Sequence, residues 1–394
     1  MNSIVIIEPL CRGHEHVMFN AALVSSIISA FPKARLKFMG TREHIDLLRN
    51  EIGVDRSSLV EWRPLSIPAP TAFYPLKMLG QAFLCMKVCK EAKRDGADII
   101  ALSASELTLF FSRIFLGVFF RNVRLTAVLH SLLKYLTPGK KDGFRAQIAS
   151  RWVVPLALRT ACFKRIQMVI LSPFIRNELI RLMPRLEPFT RSIDMPYLFP
   201  SQIHHNEEPD DCIRFGFAGF GTREKGIDTF FRLANDLHEM SSPSGRKVRF
   251  SFIGRLGRDC RDIPIPDHIE FLEKKGPFSQ EDFDRAIRRC RCLVYPYDRR
   301  LYSLVASAAL MDAIRHQKPV IAYRTPFFEN YLELMGKEAG RICDNYGELK
   351  QAAIDFVRNA DKPGQINPDE YDNRARKIFS PEAIAPQLRK IAGE

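Results

Sequence analysis

Along the chain, short runs of apolar and β-branched residues alternate with longer segments whose apolar positions recur every three or four residues. The short runs have the length of buried strands, and the longer segments have the 3.6-residue period of helices with one apolar face. Their alternation predicts a parallel sheet with crossover helices. In the first half the pattern predicts strands over 3–7, 35–39, 98–102, 124–129 and 167–171, and helices near 16–31, 76–94, 106–115 and 143–161. The stretch YLFPSQIHHNEEPDD at 197–211 is polar, holds two prolines and breaks the period, which marks an interdomain linker. The alternation then restarts, with strands over 213–218, 247–253, 268–271, 292–295 and 319–322. Helices are predicted over 225–240, 279–289, 306–316, 327–334 and 346–359. The fold class expected is α/β, with two Rossmann-like domains over 1–200 and 201–375. Open α/β sheets bind ligands beyond the carboxyl ends of their strands, so two such domains facing each other predict a cleft walled by loops.

Composition sharpens this picture. At 394 residues the chain exceeds the roughly 250–300 at which a single core stops growing, which supports two domains. With 46% apolar and 26% charged residues and no low-complexity tract, it is an ordered globular sequence. The nine cysteines are scattered, without CxxC spacing or a nearby histidine cluster, so reduced core thiols are expected and disulfides or zinc are not. The opening MNSIVIIEPL lacks a basic leader and its apolar run is strand-like, so a cytoplasmic address is expected.

Charge adds an asymmetry. Of the net +14, nearly all is N-terminal: residues 1–200 hold 28 Lys/Arg against 15 Asp/Glu, and residues 201–394 hold 31 against 30. A basic half suits an anionic partner, namely nucleic acid, an acidic membrane face or a diphosphate-linked substrate. No nucleic-acid-binding module or aromatic-basic interleaving accompanies the charge, so nucleic acid is not expected. The most apolar stretch, LTLFFSRIFLGVFF at 107–120, is shorter than the about 20 residues a membrane span needs. A buried helix and a helix lying on a membrane surface both fit it; Arg113, Arg121 and Arg124 keep the second reading open.

Two segments carry candidate chemistry in the second half. In GFAGFGTREKGIDTF at 216–230 a strand runs into a glycine-rich turn, then Lys225 and Gly226, then a helix. Gly219 and Gly221 would let backbone N–H groups approach an anion, the helix N-terminus adds about half a positive charge, and Arg223 and Lys225 add full ones. An ordinary strand-to-helix turn with a solvated lysine has the same composition. In RCLVYPYDRRLYSLVASAALMDAIRHQKPVIAY at 291–323, the small residues Ala306, Ser307 and Ala308 open a helix whose N–H groups and Ser307 hydroxyl suit a diphosphate. Asp312, one turn further in, is placed either to accept hydrogen bonds from two ribose hydroxyls or to face solvent.

These two segments, in this order, resemble the donor domain of GT-B glycosyltransferases, particularly the large family-4-like group. GFGTREKG matches that group's glycine-rich turn leading to Lys-Gly, and DAIRHQKPVIA at 312–322 matches the string that follows its second glutamate. The resemblance implies two Rossmann-like domains facing across a cleft, with Lys225 on the donor diphosphate and Asp312 on the ribose. It also implies that 376–394, KIFSPEAIAPQLRKIAGE, forms a terminal helix returning to the N-terminal domain. The sequence departs from the group twice: Phe220 stands where its turn arginine falls, and Leu304 where its first glutamate falls. Arg223 is the substitute candidate for the first, and Asp298, Tyr302 or Ser303 for the second.

In the first half the signals are histidines and carboxylates. His130 falls just past the strand 124–129, where GT-B transferases often carry a cleft histidine; an imidazole there can orient a sugar hydroxyl or exchange a proton. A histidine satisfied by the backbone fits equally. Gly13, His14 and His16 follow the first strand and are candidates for the acceptor side. Their spacing lacks a third ligand, so no metal is expected. Glu8 follows the strand 3–7 and Glu106 the strand 98–102, and both are candidate general bases. The expectation is a metal-independent transferase without a cofactor, with a nucleoside-diphosphate sugar as donor and a glycan or lipid-diphosphate-linked acceptor in surface polysaccharide synthesis. It would be cytoplasmic, with peripheral contact to an anionic inner membrane face. A non-catalytic partner subunit and a sugar-nucleotide epimerase are the alternatives.

Overall fold

The computed structural model describes residues 2–67, 74–130, 132–137, 148–200, 212–260, 262–272, 279–362 and 366–393. They form two compact units. The first comprises the chain up to Leu198, residues 304–306 and the segment from Lys377; the second comprises Phe199–Ser303 and Ser307–Arg376.

Unit 1 is built on seven strands: β1 Ser3–Ile7, β2 Arg35–Gly40, β3 Val60–Pro64, β4 Asp98–Ala101, β5 Leu125–Leu129, β6 Ile166–Leu171 and β7 Thr190–Ile193. They lie in the order β3-β2-β1-β4-β5-β6-β7, all parallel. The helices are α1 Val17–Ala30, α2 Arg42–Ile52, the single turn α3 Val54–Ser57, α4 Tyr74–Asp95, α5 Glu106–Val118, α6 Val154–Thr160 and α7 Pro173–Leu182. β1 is buried along its whole length, the signature of a central strand covered on both faces. The helix expected over 143–161 is seen as α6, preceded by a helical turn; residues 138–147 lie outside the described residues.

Unit 2 has six strands, β8 Cys212–Ala218, β9 Lys247–Ile253, β10 Ile269–Leu272, β11 Cys292–Tyr295, β12 Val320–Tyr323 and β13 Gly340–Cys343. Their order is β10-β9-β8-β11-β12-β13, again all parallel. The helices are α8 Ile227–Leu237, α9 Gln280–Arg288, α10 Ala308–Arg315, α11 Pro326–Met335, α12 Tyr346–Asn359 and α13 Pro368–Phe379. Most of the linker expected at 197–211 lies outside the described residues, which resume at Cys212.

The last helix, α14 Pro381–Ala392, belongs with unit 1 and packs on α1. Gln387 exchanges two hydrogen bonds of 2.9 Å with Asp194, and Arg389 donates to the Ala30 carbonyl at 3.4 Å. This contact explains why α1 is apolar nearly all round: the sheet covers one side and α14 helps cover the other.

In both sheets the strand order reverses at one place, between β1 and β4 in unit 1 and between β8 and β11 in unit 2. Connections leave a reversal point in opposite directions, so a crevice opens there at the carboxyl ends of the strands. An aromatic cluster fixes the floor of that crevice in unit 2: the Phe217 ring on β8 meets Phe230 at 5.6 Å, Tyr295 at 5.9 Å and Tyr297 at 6.4 Å. All nine cysteines are free, and all but Cys162 are buried. Burial pushes the Cys89 and Cys290 thiols up to about 12, which keeps them protonated and unreactive.

Candidate functional site

In unit 2 the chain leaves β8 through Gly219, whose φ of 113° suits glycine. The turn is laced to the one after β9. Gly219 N–H donates to Ile253 O at 2.9 Å, Gly221 N–H to Arg255 O at 2.9 Å, and Gly257 N–H to Gly221 O at 2.7 Å. The amides of Gly219 and Gly221 themselves donate to the neighbouring turn, so they are not among the N–H groups left for an anion. What these glycines contribute is closeness. A Cβ on Gly221 would stand 2.9 Å from the Phe252 ring, and one on Gly219 would reach within 4.0 Å of the Lys225 ammonium.

Thr222 caps the following short turn, accepting from Lys225 N–H, and Gly226 then enters α8 at φ 69°. Lys225 therefore sits in the turn ahead of α8, where its ammonium lies 5.6 Å from the centre of the Tyr297 ring. Arg223 points elsewhere. Its guanidinium donates to Asp262 Oδ2 at 2.6 Å and to the Asp259 carbonyl at 2.9 Å. Asp262 holds this half-exposed guanidinium protonated, and the pairing fastens the turn to the loop after β9.

On the other side of the crevice, β11 ends at Tyr295 and the chain passes through Tyr297 to Ser307, which caps α10 by accepting from Leu310 N–H at 3.3 Å. Tyr297 is enclosed, and Ser307 and Asp312 are its polar neighbours. Its hydroxyl has no partner of hydrogen-bonding geometry among the described residues. Burial raises the phenol well above its ordinary value, with the Asp312 charge adding to the effect, so Tyr297 remains a neutral phenol. Asp312, buried on the first turns of α10, and Lys225, in the turn after β8, thus both act on Tyr297 at the reversal point.

The other donor-side candidates have local duties. Asp298 accepts from the N–H groups of Arg300 and Leu301 at 3.0 and 2.9 Å, closing its own turn. Tyr302 is buried with its ring 4.6 Å from that of Tyr297, and Ser303 donates to the Arg300 carbonyl at 2.8 Å. Leu304 is buried and Phe220 is half exposed. One cation escaped the sequence reading: Arg255 follows β9, its carbonyl accepts from Gly221, and its exposed guanidinium makes no ion pair or hydrogen bond among the described residues. The only signal was a Gly-Arg step at a strand end, which many turns share.

In unit 1, Glu8 ends β1 inside the sheet crevice. Its Oε1 accepts from Leu10 and Cys11 N–H at 2.9 and 3.0 Å, and its Oε2 from Asn20 Nδ2 and Ser103 Oγ at 3.0 Å each. Burial raises the carboxyl above its usual range, and the backbone donors oppose that rise. His44 continues the network: Nδ1–H donates to Gly13 O at 2.8 Å, so Nε2 accepts from Asn20 Nδ2 at 2.9 Å. Glu8 is thereby a buried brace for the loop that carries Gly13, His14 and His16, and all four carboxylate contacts are internal.

That loop brings His16 to His130. His16 is left-handed at φ 52°, opens α1, and places Nδ1 3.2 Å from His130 Nε2. The His130 ring stacks on Phe19 at 5.0 Å, and its Nδ1 is enclosed with no hydrogen-bond partner among the described residues. His130 is therefore the inner imidazole and His16 the exposed one, an order that sequence alone did not reveal. His14 is exposed on the same loop. Glu106 instead starts α5 and lines an apolar groove with Leu107 and Phe110. Among the described residues no group of three or more His, Cys, Asp or Glu converges as a metal site would require.

Burial first, and then the charge of His16, pushes His130 well below its ordinary 6.5. The unfolded chain takes up a proton there below about pH 6.5 and the folded chain does not, so this residue's contribution is full above that pH and is lost as pH falls towards the folded value. His130→Phe keeps the ring stack and removes the titration. The stability advantage of wild type over the variant should shrink by about 1 kcal/mol between pH 6.5 and 5.5 in urea unfolding. A difference that stays constant with pH would remove the buried neutral imidazole.

No family model and no curated protein matches the sequence. Solved structures match over the whole chain. Sucrose-phosphate synthase from Thermosynechococcus elongatus superposes with a TM-score of 0.68 at 14% identity, covering 100% of this chain and 98% of that one. HepE from Anabaena, in its complex with UDP-glucose, gives 0.65 at 14% identity with both chains covered fully. The fold is GT-B. A glycosyltransferase from Rickettsia africae adds a TM-score of 0.61 at 12% identity, over 99% of this chain and 97% of that one. At such identities the GT-B fold is common to these chains as architecture, two Rossmann-like sheets each with a reversal point. In this GT-B chain the reversal point of unit 2 is where Lys225, Tyr297 and Asp312 meet.

Proposed function

We propose that this chain is a glycosyltransferase that moves a sugar from a nucleoside-diphosphate sugar to a glycan or lipid-diphosphate-linked acceptor. The observation that carries the reading is the pairing of Lys225 and Asp312 around Tyr297 at the β8/β11 reversal. A cation and an anion that both act on one tyrosine match a nucleotide's two polar ends: Lys225 for the diphosphate and Asp312 for the ribose hydroxyls. Arg255, from the adjacent strand end, is the second cation in place of the turn arginine that Phe220 replaces. Positive charge fixed beside the leaving diphosphate stabilises the charge that grows as the glycosidic bond breaks, so the residues present need no metal for that step. In unit 1, His16 backed by the neutral His130 is the acceptor-side pair. A neutral inner imidazole that accepts from His16 Nδ1–H fixes the tautomer of His16 and makes its Nε2 the atom that takes a proton from an acceptor hydroxyl.

Titration calorimetry with a panel of nucleoside diphosphates tests the donor half. One diphosphate should bind, and Asp312→Asn should weaken it by about 10-fold, since a hydrogen bond to a charged group contributes about 1.5–3 kcal/mol. Absence of heat with every diphosphate would reject the donor reading. It would favour a second one, a GT-B-like partner subunit without activity, which the Leu304 and Phe220 substitutions support. Release of an altered sugar nucleotide without any acceptor would instead indicate an epimerase.

A further inference from the structure

Three neighbouring helices of unit 1 turn apolar faces outward. On α4, Leu76, Leu79 and Phe83 recur at helical spacing, and Phe83 is 68% exposed. α5 packs on α4 and shows Phe110, Ile114 and Val118 along one stripe, with Phe119 at its end. α6 packs on α5; Trp152, 66% exposed, stands just ahead of it and Leu156 on it. Of the 17 exposed large apolar side chains among the described residues, these nine fall together, which singly scattered surface residues would not do. Between the helices runs a groove of about 870 Å³, lined by Phe110, Trp152, Leu156 and Leu182 with Arg151 and Arg159.

The charges around this face are nearly all positive. Lys87 and Lys90 are exposed on α4, and Arg151 and Arg159 bracket α6. The acids of the same helices are few: Glu91 and Asp95 grip Lys37 on β2, leaving Glu106. Trp152 has the Arg151 guanidinium 6.0 Å from its ring, an aromatic and cationic pair suited to a boundary between hydrocarbon and phosphate.

We infer that this face docks on an anionic lipid bilayer, with Phe83, Phe110, Trp152 and Leu156 entering the headgroup boundary and Lys87, Lys90, Arg151 and Arg159 meeting lipid phosphates. A second copy of the chain is a poorer occupant, because self-association would press these four cations against their own images. No described helix is long and apolar enough to cross a membrane, so the contact is peripheral. The inference stands independently of the donor reading, since nothing in it involves unit 2.

The chain has two tryptophans, and Trp62 is half buried with its Nε1–H donating to Ser57 O at 2.9 Å. Trp62→Phe makes Trp152 the sole reporter. With vesicles of phosphatidylglycerol and phosphatidylcholine at low salt, Trp152 emission should shift to the blue and become shielded from iodide. Phe83→Glu with Leu156→Glu should abolish co-sedimentation, and Lys87→Gln and Lys90→Gln should each weaken it by about 5-fold. All three variants alter exposed positions, so their unfolding midpoints should match wild type. Unchanged emission with anionic vesicles overturns the inference. So does a blue shift that grows with protein concentration in vesicle-free buffer alongside dimers in sedimentation, which would assign the face to a second copy.

Discussion

Lys225→Ala should lower kcat by about 100- to 1,000-fold while leaving the unfolding midpoint close to wild type, because removing one donor aimed at developing charge costs about 3–4 kcal/mol. The size of the effect follows from placement. The ammonium is carried by a turn that is fastened on both sides, to the β9 loop through Gly221 and to the end of β11 through Gly226, and it lies over the Tyr297 ring. Such a cation is oriented before substrate arrives, so little reorganisation opposes its work in the transition state. Lys225→Arg should recover part of the loss, since charge survives but the compact ammonium does not. Arg223→Ala is the matched control. Its guanidinium is on Asp262 and the Asp259 carbonyl, so turnover should fall by far less and the change should register mainly in the stability of the turn. Steady-state kinetics with the donor found by calorimetry decides the matter; equal losses for Lys225→Ala and Arg223→Ala would contradict the placement.

Gly226→Ala should destabilise unit 2 by about 3 kcal/mol or more. Two causes add. At φ 69° an L-residue pays about 1–2 kcal/mol for the left-handed conformation, and the new Cβ would lie 2.1 Å from the Pro296 carbonyl oxygen, a backbone atom that cannot turn aside. The only relief is separation of the β8 turn from the end of β11, which moves Lys225 away from Tyr297. Donor affinity should therefore fall together with stability. Gly245→Ala separates the two causes: its φ is 85°, but a Cβ there meets nothing within 4 Å, so it should cost only about 1 kcal/mol. Urea unfolding of both variants measures this, and equal costs would show that the close approach to Pro296 contributes nothing.

Legibility in the sequence followed burial. β1, β8 and β11 lie inside their sheets, covered on both faces, and appear as largely apolar runs, with Arg214 the one charged residue among them. β3, β7 and β13 were not foreseen. Each is four or five residues long, sits at a sheet edge with a single neighbour, and mixes polar with apolar positions as a half-covered strand must. α2 and α7 were missed together with the edge strands that follow them, β3 and β7, because without those strands the strand–helix alternation does not show over 40–75 and 172–196.

Local order in the chain determined the α/β alternation, the two Rossmann-like halves and the glycine-rich turn that carries Lys225, because strand runs, helix periods and turn glycines are properties of neighbouring residues. The tertiary structure alone decided that Arg223 holds an aspartate and Arg255 does not, that His16 stands outside His130, that Glu8 is a brace, and that α4, α5 and α6 join their apolar stripes into one face. Each of these depends on which atoms from distant segments reach hydrogen-bonding or packing distance, and sequence spacing carries no record of that distance.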